Sequence, residues 1–487
     1  MAKRDKQRRK KPKTTYTLFI TSLPNHILQN IFSRLPVRTI ISCKCVSKEW
    51  NNMTNDPIFK REHFSKKTVS PILRTFEPRF WPTDLHLIEA ICTDDLVFHQ
   101  ELHSKISPPH VPFTYVPNEL NISKFGIVNS CNGLLCICTT PFNNPIYVCN
   151  PITGEYIMLP KPKMNPGLFC YQMDEEGKSE LYMTNFVVSG FGFNPKTNQY
   201  KVMRMMELET TQETRYVTIQ VLTLGSTSWE TIGSIQSWDS IGLRLEQIGA
   251  PIIQEASYKK SFCVYLNGAV HWLCNSTYNT MFIASFNFEN ENIVEILPPS
   301  QLRYQGKQGV GNMRLGVLND CLYLTDVDSY VNFKIWVLKD YNDPKISWTL
   351  HLIIDTISLN IWPRGLYQPI KYLQNGDLFM FHPSNALVCY NPNQKTFRYF
   401  KIHGIDSDFE MVPHIPCLLP IKDVVRVEDP HLHILNIRDM EEQPNEWKEY
   451  NDVELVEEDE RAISIAYSKI VLQNRSFNNV FTNRHWP

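Results

Sequence analysis

The sequence predicts an α+β multidomain protein: a small three-helix module followed by an all-β, propeller-like domain. Three observations predict it. Apolar residues recur at helical spacing between residues 18 and 64. Beyond residue 120, a turn pair followed by an apolar run recurs at intervals of about 50 residues. Aromatic residues make up 12% of the 487, with 32 prolines against 19 glycines, which favours short strands and many turns.

The helical module rests on Leu23, Ile27, Ile31 and Leu35, four residues apart, with Leu28 and Phe32 widening the apolar face. Thr21 and Ser22 ahead of Pro24 suit a helix start, and Pro36 after Leu35 should end that helix. A second short apolar group, Val37, Ile40 and Ile41, and a third stretch from Cys43 through Val46 to Trp50 complete three helices. So small a unit cannot hide all its apolar surface and tends to borrow a partner, whereas Trp50 should serve as its centre.

The repeats begin at Asn132-Gly133, Asn267-Gly268, Asn319-Asp320 and Asn375-Gly376, each leading into an apolar strand. Such pairs suit turns whose two central residues have positive φ. A further unit runs from Gly192-Phe193-Asn194-Pro195 to Ser228-Trp229. Each unit offers three or four strands and cannot cover its own faces, so a ring of units is required. The expected organisation is a basic tail (1–17), the helical module (18–64), a linker with outer strands (65–119), the propeller (120–420) and an acidic extension (421–487).

Charge is segregated. Residues 1–13 carry a net +7 and residues 439–460 a net -10, in a chain whose total is -1. Arg8, Arg9, Lys10, Lys11 and Lys13 form a nuclear-import candidate, pointing to the nucleus and/or cytoplasm. No aromatic lies among those basic residues to stack on bases, so nucleic acid is not an expected partner. Two uncharged windows, 125–154 and 261–288, are long enough to span a bilayer, yet both are interrupted by Asn and Gly, and the first also by Pro. Paired strands explain them better than membrane spans, so no membrane association is expected.

Thirteen cysteines, an odd number, read as reduced thiols. Cys131, Cys136, Cys138 and Cys149 lack the paired spacing of a zinc site, and Cys136 and Cys138 alternate along an apolar strand as small core residues. Cys43 and Cys45 are equally weak as a metal pair. His271 beside Trp272 suits a core histidine, and Gly309-Val310-Gly311 lacks a strand-turn-helix setting for a dinucleotide. No catalytic residue, cofactor or metal is expected.

Two sets of motifs carry a family resemblance. Leu23-Pro24, Ile27-Leu28, Ile31-Phe32, Leu35-Pro36-Val37, then Lys44-Cys45-Val46-Ser47-Lys48, Trp50 and Asp56-Pro57 resemble an F-box. Ser130-Cys131-Asn132-Gly133-Leu134-Leu135, Asn150-Pro151-Ile152-Thr153-Gly154, Gly192-Phe193-Asn194-Pro195, Gly225-Ser226-Thr227-Ser228-Trp229 and Leu266 to Trp272 resemble the kelch-related, F-box-associated domain of plant F-box proteins. The resemblance implies a non-catalytic substrate receptor of a Skp–cullin–F-box ubiquitin ligase. Leu23, Pro24, Ile27, Leu28, Ile31, Phe32, Leu35, Pro36 and Val46 would bind a Skp-type adaptor and, through it, cullin. The propeller would recruit a target protein. An adaptor-binding protein without a degradative role, and a propeller enzyme, are the alternatives.

Overall fold

The computed structural model describes residues 23–76, 85–87, 90–91, 97–98, 125–139, 144–160, 170–173, 179–182, 188–209, 215–235, 263–275, 281–302, 313–328, 332–339, 347–355, 366–382, 386–400, 408–426 and 434–436. The tail with Arg8 to Lys13, the acidic run 439–460 and Gly309 to Gly311 lie outside them. The chain divides into two compact units, 1–67 and 68–487.

Among its described residues the first unit has four helices, not three: α1 (Asn25–Phe32), α2 (Val37–Lys44), α3 (Lys48–Asn55) and α4 (Pro57–Ser65). Prolines open three of them, with Pro24 and Pro36 at the N-caps of α1 and α2 and Pro57 in the first turn of α4. Ser47 caps α3 by accepting the Trp50 N–H at 3.1 Å, and Asp56 caps α4 by accepting the Ile58 N–H at 2.7 Å. The fourth helix follows from that Asp-Pro start, which places Phe59 and His63 one turn apart on a buried edge. Leu28, Phe32, Val37, Ile40 and Phe59 form the core. Trp50 is not its centre: it is half-buried and meets Phe32 edge-on, ring centroids 4.8 Å apart.

The second unit is an all-β, five-blade propeller-like domain. Blade 1 comprises Phe125–Cys131, Leu134–Thr139, Pro145–Cys149 and Glu155–Met158. Blade 2 runs from Val188–Asn194 to Glu230–Ile235, blade 3 from Val264–Leu266 to Asn292–Ile296, blade 4 from Met313–Leu318 to Trp348–Asp355, and blade 5 from Gln368–Tyr372 to Thr396–Phe400. In every blade the strands pair antiparallel in chain order. The uncharged windows 125–154 and 261–288 supply most of blades 1 and 3. Among the described residues, no helix is long and apolar enough to cross a membrane.

A three-stranded sheet closes the ring between blades 5 and 1. Ser70–Phe76 is its middle strand, flanked by Leu85–Leu87 and by Asp408–His414 in the register Ser70↔His414 to Phe76↔Asp408. Alternate residues of the middle strand face opposite neighbours: Ile72 packs into the core shared with blade 1, and Leu73 into that shared with blade 5. The stretch expected as a linker therefore supplies a central strand. The stretch expected as an acidic extension also begins inside the domain. Ile421, in the short helix Ile421–Val424, is buried between blades 1 and 2, and Ile434–Asn436 adds a fifth strand to blade 1.

Asparagines staple the blades. Asn129 exchanges two hydrogen bonds with the Phe191 backbone, 2.7 Å to its carbonyl and 2.9 Å from its N–H. Asn150 and Asn194 each accept two N–H groups of their own turns and donate across: Asn150 to the carbonyls of Cys417 and Leu419, Asn194 to that of Phe288. Trp229 and Trp348 donate their indole N–H to Pro160 and Leu297, just past the outer strands of the preceding blades. Positive φ occurs at both residues of Asn132-Gly133, Asn267-Gly268 and Asn319-Asp320. At the fourth turn only Gly376 adopts it, because 373–377 is a longer connection.

Candidate functional site

α1 has two apolar edges that point in different directions. Leu28 and Phe32, four residues apart, are each 3% exposed and belong to the core. Ile27 and Ile31, one position earlier in each turn, are rotated about 100° around the helix and stand 39% and 43% exposed. Pro24 is exposed, while Leu23, Leu35 and Pro36 are half-buried. Val46, in the turn between α2 and α3, is 63% exposed. The nine predicted docking residues therefore split: Leu28 and Phe32 hold the helix in place from inside, and Pro24, Ile27, Ile31 and Val46 are the ones on the surface. Were the whole face an internal core, its isoleucines would be buried like the leucine between them.

The α1–α2 turn that carries Leu35 and Pro36 is tied down by α4. His63 Nε2 donates to the Leu35 carbonyl at 3.1 Å, and Lys67 Nζ reaches the same oxygen at 2.5 Å. Lys66 Nζ bridges Ser33 Oγ at 2.7 Å and Glu62 Oε1 at 2.5 Å. Burial holds the His63 imidazole down at about 4, so it is neutral at pH 7; the Lys67 charge adds to this and the Leu35 bond opposes it. The contacts to Leu35 and Ser33 have no local signature, because each joins residues about thirty positions apart.

Among the described residues the cysteines do not converge on a metal geometry. Cys136 and Cys138 face the core between blades 1 and 2, whereas Cys149 points to the opposite side of the same blade. Burial pushes the thiols of Cys131 and Cys136 well above the ordinary thiol range and that of Cys149 up to about 12. In the helical unit Cys43 is buried and Cys45 exposed. Among the described residues no group of three or more His, Cys, Asp or Glu side chains could hold a metal ion. His271 is fully buried within blade 3, and burial holds it down at about 4.

The sequence matches the family model described as the F-box associated beta propeller domain over residues 91–414, and the F-box-like model over residues 20–66. The chain belongs to the F-box proteins with an associated β-propeller. Among its relatives from Arabidopsis thaliana, F-box protein At3g07870 is 25% identical over 81% of this chain and 91% of its own length. F-box protein CPR1 is 25% identical over 80% of this chain and 87% of its own. F-box/kelch-repeat protein At3g23880 is 22% identical over 78% and 90%. The matched F-box segment contains the exposed isoleucines of α1, and the matched propeller segment stops at the end of the closing strand, short of the blade-1 additions at 421–436.

Proposed function

We propose that this F-box protein is the substrate-receptor subunit of a Skp–cullin–F-box ubiquitin ligase. The observation that carries the reading is the solvent-facing edge of α1, Ile27 and Ile31, on a unit joined in one chain to a propeller. The isoleucine edge, with Pro24 and Val46, docks a Skp-type adaptor and through it cullin. The propeller holds a target protein. Its contribution is proximity, keeping the target beside a charged ubiquitin-conjugating enzyme, and no covalent step is assigned to this chain. The longest connections between numbered blades, residues 159–187 and 236–263, leave the strand ends opposite the Asn132-Gly133 turn and give the sequence room for target specificity. The basic cluster from Arg8 to Lys13 directs the assembly to the nucleus.

Affinity purification of the full chain followed by mass spectrometry tests this. Adaptor and cullin should co-purify, and a deletion of residues 23–67 should lose both while retaining the target. Target levels that do not respond to loss of the chain would favour an interaction role without degradation. Turnover of a small molecule by the propeller would replace the receptor reading with an enzyme.

A further inference from the structure

The propeller leaves one part of its rim apolar and uncovered. Among its described residues five large hydrophobic side chains are exposed. Four of them, Val294 (49%), Leu297 (44%), Leu350 (42%) and Ile353 (50%), lie on the outer strands of blades 3 and 4 or directly after them. The two strands meet where the Trp348 indole N–H donates to the Leu297 carbonyl at 2.8 Å. Three of the four side chains face the boundary between the blades. Val294 alternates with Ile296, which shares a core with Trp336 and Leu338 of blade 4. Leu350 pairs with Trp336 across the strands, and Ile353 with Lys334, two residues along the same face. Core residues thus close the inner part of this wedge, and its outer part is open. Exposed leucines scattered singly are ordinary, but four at one junction form a patch. A bulge at His351 interrupts the edge of blade 4, so a second copy could not simply extend that sheet.

The chain itself shows what covers a rim. On blade 1 the outer strand is overlaid by Ile434–Asn436, from beyond the matched propeller segment, and its partner Ile157 is fully buried. The sequence that follows contains an apolar segment of its own. After the acidic run 439–460, Ile463, Ile465 and Tyr467 alternate with Ser464, Ala466 and Ser468, and Ile470-Val471-Leu472 follow; Lys469 is the sole charge in 462–472. This segment lies outside the described residues. The 25 residues from 437 to 461 reach about 80 Å when extended. The path from blade 1 crosses two to three blades, whose sheets pack about 10 Å apart. We propose that residues 462–472 dock along the open wedge between blades 3 and 4, with the acidic run as the tether from blade 1. Ile463, Ile465 and Tyr467 share one side of the extended segment and meet Val294, Leu350 and Ile353, while the serines face water. A partner with an apolar segment then reaches this patch only by displacing the chain's own.

The experiment places the photocrosslinker p-benzoylphenylalanine at position 467 of the full chain. Crosslinks should form within one chain, to peptides containing 292–297 or 348–355, and should not depend on protein concentration. Leu350→Ser/Ile353→Ser should remove them while melting close to the parent, since both side chains are half exposed. Hydrogen exchange gives a second measurement that leaves the blades unaltered. In Ile463→Ser/Ile465→Ser/Tyr467→Ser, residues 348–355 should exchange about tenfold faster than in the parent. Exchange there that is unchanged by the three serines, or crosslinks to other parts of the chain, would overturn the proposal. Crosslinks between two chains, rising with concentration, would also overturn it and assign the patch to a second copy.

Discussion

His63 donates its Nε2 proton to the carbonyl oxygen of Leu35 at 3.1 Å, and so binds the last helix of the F-box unit to the Leu-Pro turn between the first two. The ring is fully buried. Its Nδ1 has no hydrogen-bond partner among the described residues, so protonation would leave a buried N–H unsatisfied as well as a buried charge.

This gives the F-box unit a defined acid sensitivity. His63 is held at about 4 in the folded state, against about 6.5 for an unperturbed histidine. As pH falls, the unfolded chain takes up the proton first. The stabilisation is complete above pH ~6.5 and is lost between there and about pH 4, amounting to roughly 3 kcal/mol. His63→Leu should be less stable at pH 7, where it lacks the Leu35 bond, but the gap should narrow towards pH 5. Hydrogen exchange over residues 25–65, corrected for intrinsic rates, reads this unit separately. A gap that stays constant with pH would contradict the buried neutral ring. His271, held at about 4, and His414, held at about 3, both by burial, give the propeller a loss of stability in the same direction.

The two edges of α1 should separate folding from binding. Leu28→Ala removes a core side chain and should cost about 2–5 kcal/mol. Ile27→Ser/Ile31→Ser removes partly exposed surface, should cost about 1 kcal/mol or less, and should abolish adaptor co-purification. Urea denaturation and pull-down on the same samples check both. A double mutant that is well folded and still retains the adaptor would move the docking surface elsewhere on the unit.

Much of this arrangement was legible in the sequence, because its determinants are local. The prolines at 24 and 36 fix the backbone locally at the N-caps of α1 and α2, and Asn-Gly at 132 and 267 favours a tight turn from its own two residues. What could not be read is long-range. Ile27 and Leu28 are neighbours of similar hydrophobicity, and only the tertiary packing of the unit decides which one is buried. Ser70–Phe76 looks like linker because its partner, Asp408–His414, lies at the far end of the propeller sequence. The acidic run hid the fact that Ile421 and Ile434–Asn436, just ahead of it, belong to blade 1.

The closing strand sets where a propeller fragment can begin. A fragment starting at Thr68 retains all seven paired residues of Ser70–Phe76, including the buried Ile72 and Leu73. One starting at Leu85 leaves Asp408–His414 without its neighbour and opens the cores shared with blades 1 and 5. The longer fragment should melt in one cooperative transition; the shorter should melt at lower temperature or without cooperativity. Loss of two fully buried aliphatic residues alone is worth about 3–6 kcal/mol, and the strand's hydrogen bonds are lost besides. Differential scanning calorimetry distinguishes them, and matching transitions would mean that the ring closes without this strand.

Glycine 316 supports the contact between blades 4 and 5. Gly316 lies opposite Tyr323 in the register of its hairpin, and a Cβ added there would come within 2.2 Å of the Tyr323 ring and hydroxyl. That ring is buried, and its hydroxyl donates to the Pro369 carbonyl of blade 5 at 2.9 Å. Gly316→Ala must therefore either displace the ring or strain the strand, at about 1–3 kcal/mol for the overpacking and about 1 kcal/mol more if the hydrogen bond breaks. Gly233, in the outer strand of blade 2, has nothing within 4 Å of an added Cβ, so Gly233→Ala should be neutral or stabilise by up to about 1 kcal/mol. In Gly316→Ala/Tyr323→Phe the hydroxyl is already gone, so the alanine should cost less there than in the parent. Melting temperatures of the parent, Gly316→Ala, Tyr323→Phe, their double variant and Gly233→Ala check the argument; if Gly316→Ala melts with the parent, the Tyr323 ring is not held between the two blades by its surroundings.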